Sequence, residues 1–312
     1  MRSGSIAAAG LLIGFATDRV FGDPRRGHPV AGFGTTAMRL EQVTYRDQRL
    51  AGIVHEIVLV GGTVSLGIIA QRVTRRRGVA QTALVAAATW TVLGGTTLAK
   101  TGRQMADLLE SGDIEGARKL LPSLCGRDPE LLDADGLARA ALESIAENTS
   151  DATVAPLFWG AIAGVPGLLG YRAVNTLDAM VGYRNERYNR FGWAAARTDD
   201  IANLGPARVA GVITTVLAPV IGGRPADAWR AWRRDAGKHP SPNAGVAEAS
   251  MAGALGVQLG GLTRYRHGTE MRPTLGDGPA PRVADLRRAV RLSEAVQLAT
   301  ALIAATVAYT RR

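Results

Sequence analysis

The sequence predicts an all-α fold: a polytopic integral membrane helical bundle with re-entrant or broken helices and a polar site at the membrane face. Three observations predict it. Hydrophobic residues make up 46% of the 312 and charged residues only 21%. The apolar residues gather into runs that approach or reach the roughly 20 needed to cross a bilayer. The 38 glycines suit helices that pack closely inside lipid. Residues 1–312 read as a single membrane-embedded domain with a soluble-type helical insertion at about 100–142.

Residues 6–21 are an apolar run, short for a full span. No small-residue cleavage signature precedes Asp18-Arg19, so this run reads as a retained membrane segment. Residues 22–30 form a loop shaped by Pro24 and Pro29, carrying Asp23, the Arg25-Arg26 pair and His28. Residues 40–50 read as a surface helix. Residues 52–70 and 79–99 are spans joined by a turn bearing Arg72, Arg75, Arg76 and Arg77, a helical hairpin. With a cytoplasmic polar face that turn would lie outside, against the positive-inside tendency.

Within 100–142, Asp113 reads as the N-cap of a short helix, and Pro122 and Pro129 bound a loop. Asp135 is the expected cap of the helix that carries Glu143 and Glu147. Residues 152–169 are apolar but interrupted by Pro156, Gly164, Pro166 and Gly167. Such a segment kinks or re-enters, which membranes tolerate where the backbone lines a polar cavity. Residues 171–190 bring Asn175, Asp178 and the polar run from Tyr183 to Tyr188, and 209–221 are apolar and short for a span. Residues 229–235 form an aromatic and basic helix suited to a membrane interface. Residues 238–245 are a rigid polar loop before a small-residue helix at 248–261, a plausible phosphate seat. A loop at 263–282 and a last apolar helix at 292–309 complete the chain.

The chemistry concentrates between 143 and 208. Glu143, Glu147 and Asp151 recur every fourth residue, which on a helix stacks three carboxylates on one face. Like charges so placed repel, and a hard cation such as Mg²⁺ would relieve them. The alternative is a solvated face with Arg139 as the partner of Glu143. Asn175 and Asp178 make an i,i+3 pair, and Asp199 and Asn203 an i,i+4 pair. His28 is open to three roles: general base, phosphate contact or structural hydrogen-bonder.

The net charge of +10 comes from basic residues that are scattered or beside apolar runs, with little aromatic interleaving. That pattern fits lipid headgroups or a polyanionic substrate, and not nucleic acid. Cys125 is the single cysteine, which excludes an internal disulfide and a cysteine-based zinc cluster; it reads as a bystander thiol. There is no Walker-type phosphate loop.

Several ordered blocks carry a resemblance. They are Gly22-Asp23-Pro24 with His28-Pro29-Val30, the stretch 143–151, and Asn175-Thr176-Leu177-Asp178 with Gly182-Tyr183. Ala196-Arg197, Asp199-Asp200, Asn203, Pro206-Ala207-Arg208, Arg234-Asp235 and the stretch 241–245 continue the series. Over most of its length the chain resembles the CobD/CbiB family, the membrane adenosylcobinamide(-phosphate) synthases of cobalamin biosynthesis. The resemblance implies ATP-driven amide formation between a propionate of adenosylcobyric acid and (R)-1-amino-2-propanol or its O-phosphate. It implies Mg²⁺ on Glu143, Glu147, Asp151, Asp178, Asp199 and Asp200, with Asn148, Asn175 and Asn203 as neutral oxygen donors. Glu147 and Asp199 would be catalytic as well. Arg184, Arg197 and Arg208 would grip phosphates, and Ser241, Asn243 and Gly245 would offer backbone N–H groups. Asp23 and His28 would orient or deprotonate the amine. A multi-pass protein of the cell membrane, with its active face to the cytoplasm and other cobalamin-pathway enzymes as partners, is the matching expectation.

Two other readings share part of this pattern. The chain is similar, more weakly, to AmpE-like membrane proteins, which would make it a non-catalytic sensor. Asp199-Asp200 with Asn203 is also similar to Mg²⁺-dependent membrane prenyltransferases, which need two Asp-rich motifs and an apolar tunnel.

Overall fold

The computed structural model describes residues 3–24, 27–265 and 268–311, so the Arg25-Arg26 pair lies outside the described residues. Helices dominate it. Among the described residues, six stretches are long and apolar enough to cross a membrane: Ser3–Phe21, Arg49–Thr74, Gly78–Ser111, Ala134–Val181, Trp193–Ile221 and Val283–Thr310. The expected all-α polytopic bundle is what this chain forms. It divides into two compact units, Met1–Gly94 with Asp151–Leu204 and Thr300–Arg312, and Gly95–Ser150 with Gly205–Ala299.

The first unit begins with α1 (Ser3–Phe21), α2 (Pro29–Thr44), α3 (Arg49–Thr74) and α4 (Gly78–Val92). The helix expected at 40–50 is instead divided between α2 and α3. Pro29 occupies the first turn of α2, where its missing N–H costs nothing, and His28 caps it. Small residues let α1 lie against α4: a Cβ on Gly10 would come within 2.5 Å of Val85 Cβ. The core joins Leu11 and Phe15 to Val85 and Val92, and to Leu157 and Leu168 further along the chain.

The span expected to run unbroken over 79–99 stops at Val92, because Leu93 is extended (ψ 152°), and α5 (Gly95–Ser111) starts afresh. After α6 (Ile114–Leu120) and α7 (Ala134–Thr149), a π-helical turn, Ser150–Val154, leads into α8 (Ala155–Val181). The predicted break in α8 is present at Gly164, whose φ of 65° and ψ of −144° leave the helical region. Pro166 has no N–H to give. Gln71 of α3 repairs the gap: its Oε1 accepts from Val165 N at 3.0 Å.

The second unit packs α7 on α5 and on α11 (Ala244–Leu255), with α10 (Pro225–Asp235) against α11. α9 (Trp193–Leu217) contributes residues 193–204 to the first unit and 205–217 to the second, and α12 (Val283–Thr310) is divided at residue 300. Asp133, not Asp135, caps α7 by accepting from Gly136 N at 2.8 Å; Asp135 lies in the first turn, where a carboxylate favours the dipole. The 248–261 helix expectation is corrected to Ala244–Leu255, and the 263–282 loop to an antiparallel hairpin, β1 (Leu259–Tyr265) and β2 (Gly268–Leu275). A register shift between Leu259 and Gly261 bends β1 where it meets α7.

Candidate functional site

In the first unit, the carboxylate of Asp199 is held by two amides. Asn203 Nδ2 donates to Asp199 Oδ2 at 2.9 Å, and Asn175 Nδ2 donates to Oδ1 at 3.4 Å. The oxygens of both amides are themselves engaged. Tyr171 OH donates to Asn203 Oδ1 at 2.9 Å, and Arg172 Nη1 to Asn175 Oδ1 at 3.1 Å. Asn175 and Asn203 therefore present N–H groups to the acid, and not the oxygens expected of metal ligands. Arg172 also donates through Nε to Val92 O at 2.8 Å, with Nη2 on the same carbonyl, and so closes the C-terminus of α4. The charges of Asp151 and Asp199 act on Tyr171, and those of Asp151 and Asp23 on Arg172.

Asp23 and His28 do come together. His28 Nδ1 accepts from Val30 N at 3.2 Å, so on the neutral ring the proton sits on Nε2. That nitrogen faces Asp23 Oδ1 at 3.8 Å, with side-chain exposures of 18% and 30%. Arg184, Arg197 and Asp200 line a small cavity of about 90 Å³, where Arg197 pairs with Asp200 at 3.7 Å. Asp178 folds over Gly182 at the end of its own helix.

The second unit holds a separate buried network. Glu143 has both oxygens taken: Oε2 by Arg127 Nη2 and Oε1 by Gly260 N at 2.8 Å. It was expected to bind metal and to have Arg139 as its alternative partner. Arg139 instead donates to Gly260 O at 2.9 Å and Leu262 O at 2.7 Å, so α7 holds the hairpin by both side chains. Glu147 is exposed, and Asn148 turns its amide back onto Ser144 O at 2.9 Å. Glu248, on the small-residue helix α11, is 2% exposed, and burial pushes its carboxyl well above the usual range, with the Glu143 charge adding to the effect. His239 is 3.7 Å from it and bonded to Arg272; burial, then the Arg272 charge, pushes the imidazole down. Burial raises the Cys125 thiol, which suits an inert cysteine.

The expected phosphate loop is closed on itself. Ser241 Oγ accepts from Asn243 N at 3.4 Å and from Ala244 N at 3.2 Å, while Gly245 N donates to Ser241 O at 3.2 Å. Ser241 N donates to His239 Nδ1 at 3.0 Å, so the N–H groups of Ser241, Asn243 and Gly245 are all occupied within the loop. Arg208, which donates to Asn243 Oδ1 at 2.7 Å, lines a cavity of about 350 Å³ together with Arg233 and His239.

Among the described residues no three His, Cys, Asp or Glu side chains form a ready metal cluster. The first-unit acids still suit Mg²⁺, which usually takes one or two carboxylates and completes its shell with phosphate oxygens and water. A carboxylate has about four acceptor sites, and the two amides use two of those on Asp199.

Sequence reasoning missed Tyr171, Arg172, Arg127 and Glu248. Arg172 stands three residues before Asn175, a helical spacing that could have marked the pair. Arg127 carried no such signal.

Residues 11–293 match the family model described as CobD/Cbib protein. "Cobalamin biosynthesis protein CobD" of Mycobacterium tuberculosis is 61% identical over 305 residues, 98% of this chain and 97% of that one. The proteins of the same description from Geobacter metallireducens and Rhodobacter capsulatus are 42% and 40% identical, each covering 96% of this chain and 96% and 97% of their own. No solved structure matches the chain.

Proposed function

The chain belongs to the CobD/Cbib family, and on that premise we propose that it catalyses an amide ligation in cobalamin biosynthesis. The reaction joins a propionate carboxylate of adenosylcobyric acid to the amine of (R)-1-amino-2-propanol or its O-phosphate. ATP is the phosphoryl donor: the carboxylate takes its γ-phosphoryl group to become an acyl phosphate and ADP leaves, and a bound Mg²⁺ would supply charge shielding for the phosphates. The observation that supports this reading best is the first-unit constellation of Asp199, Asn175, Asn203, Tyr171 and Arg172.

Asp151 and Asp199 are the residues that would hold Mg²⁺, and Tyr171 and Arg172 keep the two amides turned so that Asp199 stays in place. An ammonium must lose a proton before it attacks. Asp23 is the acceptor, because His28 Nδ1 is committed to capping α2 and only its Nε2–H faces the acid. As the amine nitrogen bonds to the acyl carbon, the C–O bond to phosphate breaks and inorganic phosphate leaves. Arg184 and Arg197 bind the phosphate of a substrate in their small cavity, and Arg208 serves a second anionic group in its own. Glu147, Asp178 and Asp200 remain candidate ligands of lower rank. The protein works in the cell membrane, with Asp199 and its partners reached from the cytoplasm where ATP is available, beside other enzymes of the pathway.

The test is direct. Purified protein in detergent receives adenosylcobyric acid, aminopropanol phosphate, ATP and Mg²⁺, and the corrinoid is weighed. A corrinoid gaining the mass of the amine minus water, with ATP consumed, supports the reading; unaltered corrinoid under all these conditions removes it.

A further inference from the structure

A cavity of about 590 Å³ lies in the first unit, lined by residues of α2, α3, α4 and α8. That volume is within the range of small-ligand sites. Its wall on α3 includes Val58 and Leu66, which are 52% and 67% exposed. α3 is the least buried of the six candidate spans, so a bilayer around that span would meet this wall.

The polar groups in the wall are largely spent. Three of its four lining threonines are bonded to carbonyls of their own helices: Thr36 to Gly32 O at 2.9 Å, Thr63 to Leu59 O at 2.8 Å, and Thr176 to Arg172 O at 2.7 Å. Their hydroxyls are therefore engaged within their own helices. Arg172, the one charged lining residue, is committed to Val92 O and Asn175 Oδ1. A corrinoid carries amides around its rim, and burying them here would leave them unpaired, which is unfavourable. A hydrocarbon chain has nothing to leave unpaired.

We propose that this cavity is a lipid site that takes an acyl chain of a bilayer phospholipid, entering sideways past α3. The chain fills space that would otherwise be a void beneath α2, the helix that His28 caps.

The test uses the full-length protein in vesicles of phosphatidylcholine whose acyl chain carries a photoreactive diazirine. Illumination followed by peptide mapping should place adducts preferentially on the cavity-lining residues of α2 and α3. Gly62 lines the cavity and has open space at its Cβ position, so Gly62→Phe adds a ring there without a clash in the backbone. Gly61 has equally open space but does not line the cavity, so Gly61→Phe is the control. Labelling of the lining residues should fall at least fivefold in Gly62→Phe and stay unchanged in Gly61→Phe. Labelling spread evenly over the lipid-facing helices, or unaltered in Gly62→Phe, overturns the proposal. Protection of the same residues by adenosylcobyric acid also overturns it, by giving the cavity to a substrate. Should Gly62→Phe fail to fold, the distribution of adducts on the unmutated protein decides alone.

Discussion

Asn203 stands one helical turn from Asp199 and donates to its Oδ2 at 2.9 Å, while the far end of the same amide accepts from Tyr171. The acid is thus positioned through a chain that starts at a hydroxyl on another helix. Tyr171→Phe removes the first link and keeps the ring. Supporting contacts of this kind are worth roughly 10- to 100-fold in activity or metal affinity. Turnover in Tyr171→Phe should fall by about that factor, with a drop in melting temperature no larger than one buried hydrogen bond accounts for, and activity assays with and without excess Mg²⁺ beside thermal unfolding measure it.

His28 has two duties that substitutions can separate. Asn is a good N-cap, so His28→Asn should preserve α2, whereas His28→Ala should cost about 1 kcal/mol of stability. Neither leaves an Nε2–H facing Asp23. Both variants should therefore lose turnover, but only His28→Ala should also melt earlier, as thermal unfolding in detergent will show.

Glu143 and Glu248 are both buried carboxyls of the second unit, yet they should respond oppositely to amidation. Glu143→Gln removes the carboxylate charge paired with the buried Arg127, and breaking a buried pair of this kind typically costs about 3–5 kcal/mol. Glu248 already has its carboxyl pushed well up by burial, so Glu248→Gln replaces a group that resists ionisation with a neutral one. Its stability should stay within about 1 kcal/mol of the parent near neutral pH. Denaturation of the two variants side by side checks the contrast.

Asp235 gives a pH dependence of definite sign. It is 1% exposed on its side chain, and hydrogen bonds from Arg234, then Lys238 and Gly276 N, hold its carboxyl well below the usual carboxylate range against the opposing effect of burial. Because the folded value is the lower one, the stabilisation is fully present above the unfolded value of about 3.9 and is lost as pH falls further. The gap in melting temperature between the parent protein and Asp235→Asn should be constant from about pH 6 to about pH 8 and should shrink below about pH 4.

Much of the first-unit site could be read in the sequence. Asp23 and His28 sit in a loop that two prolines shape, and the i,i+4 spacing of Asp199 and Asn203 survives as a hydrogen bond. The break in the 152–169 segment was signalled by Gly164 and Pro166. What could not be read is who meets whom over long separations. The helical spacing of Glu143 and Glu147 says nothing of Arg127, which reaches Glu143 from a loop sixteen positions away. The direction of the Asn175 and Asn203 amides is set by Arg172 and Tyr171, so amides that read as oxygen donors became nitrogen donors. The hairpin of β1 and β2 was hidden because Gly260-Gly261 punctuates like a loop and the flanking strands alternate poorly.

The measurement that bears most directly on the proposed chemistry is turnover of adenosylcobyric acid by Asp199→Asn, with the product identified by mass and folding followed by melting. The substitution keeps the shape of the side chain and removes its charge. A loss of at least 100-fold in amide product, with the protein still folded and its melting temperature lowered only by the one hydrogen bond that the new NH₂ group cannot accept, is the expected result. Product formed within threefold of the parent rate would contradict the placement of the reaction at Asp199.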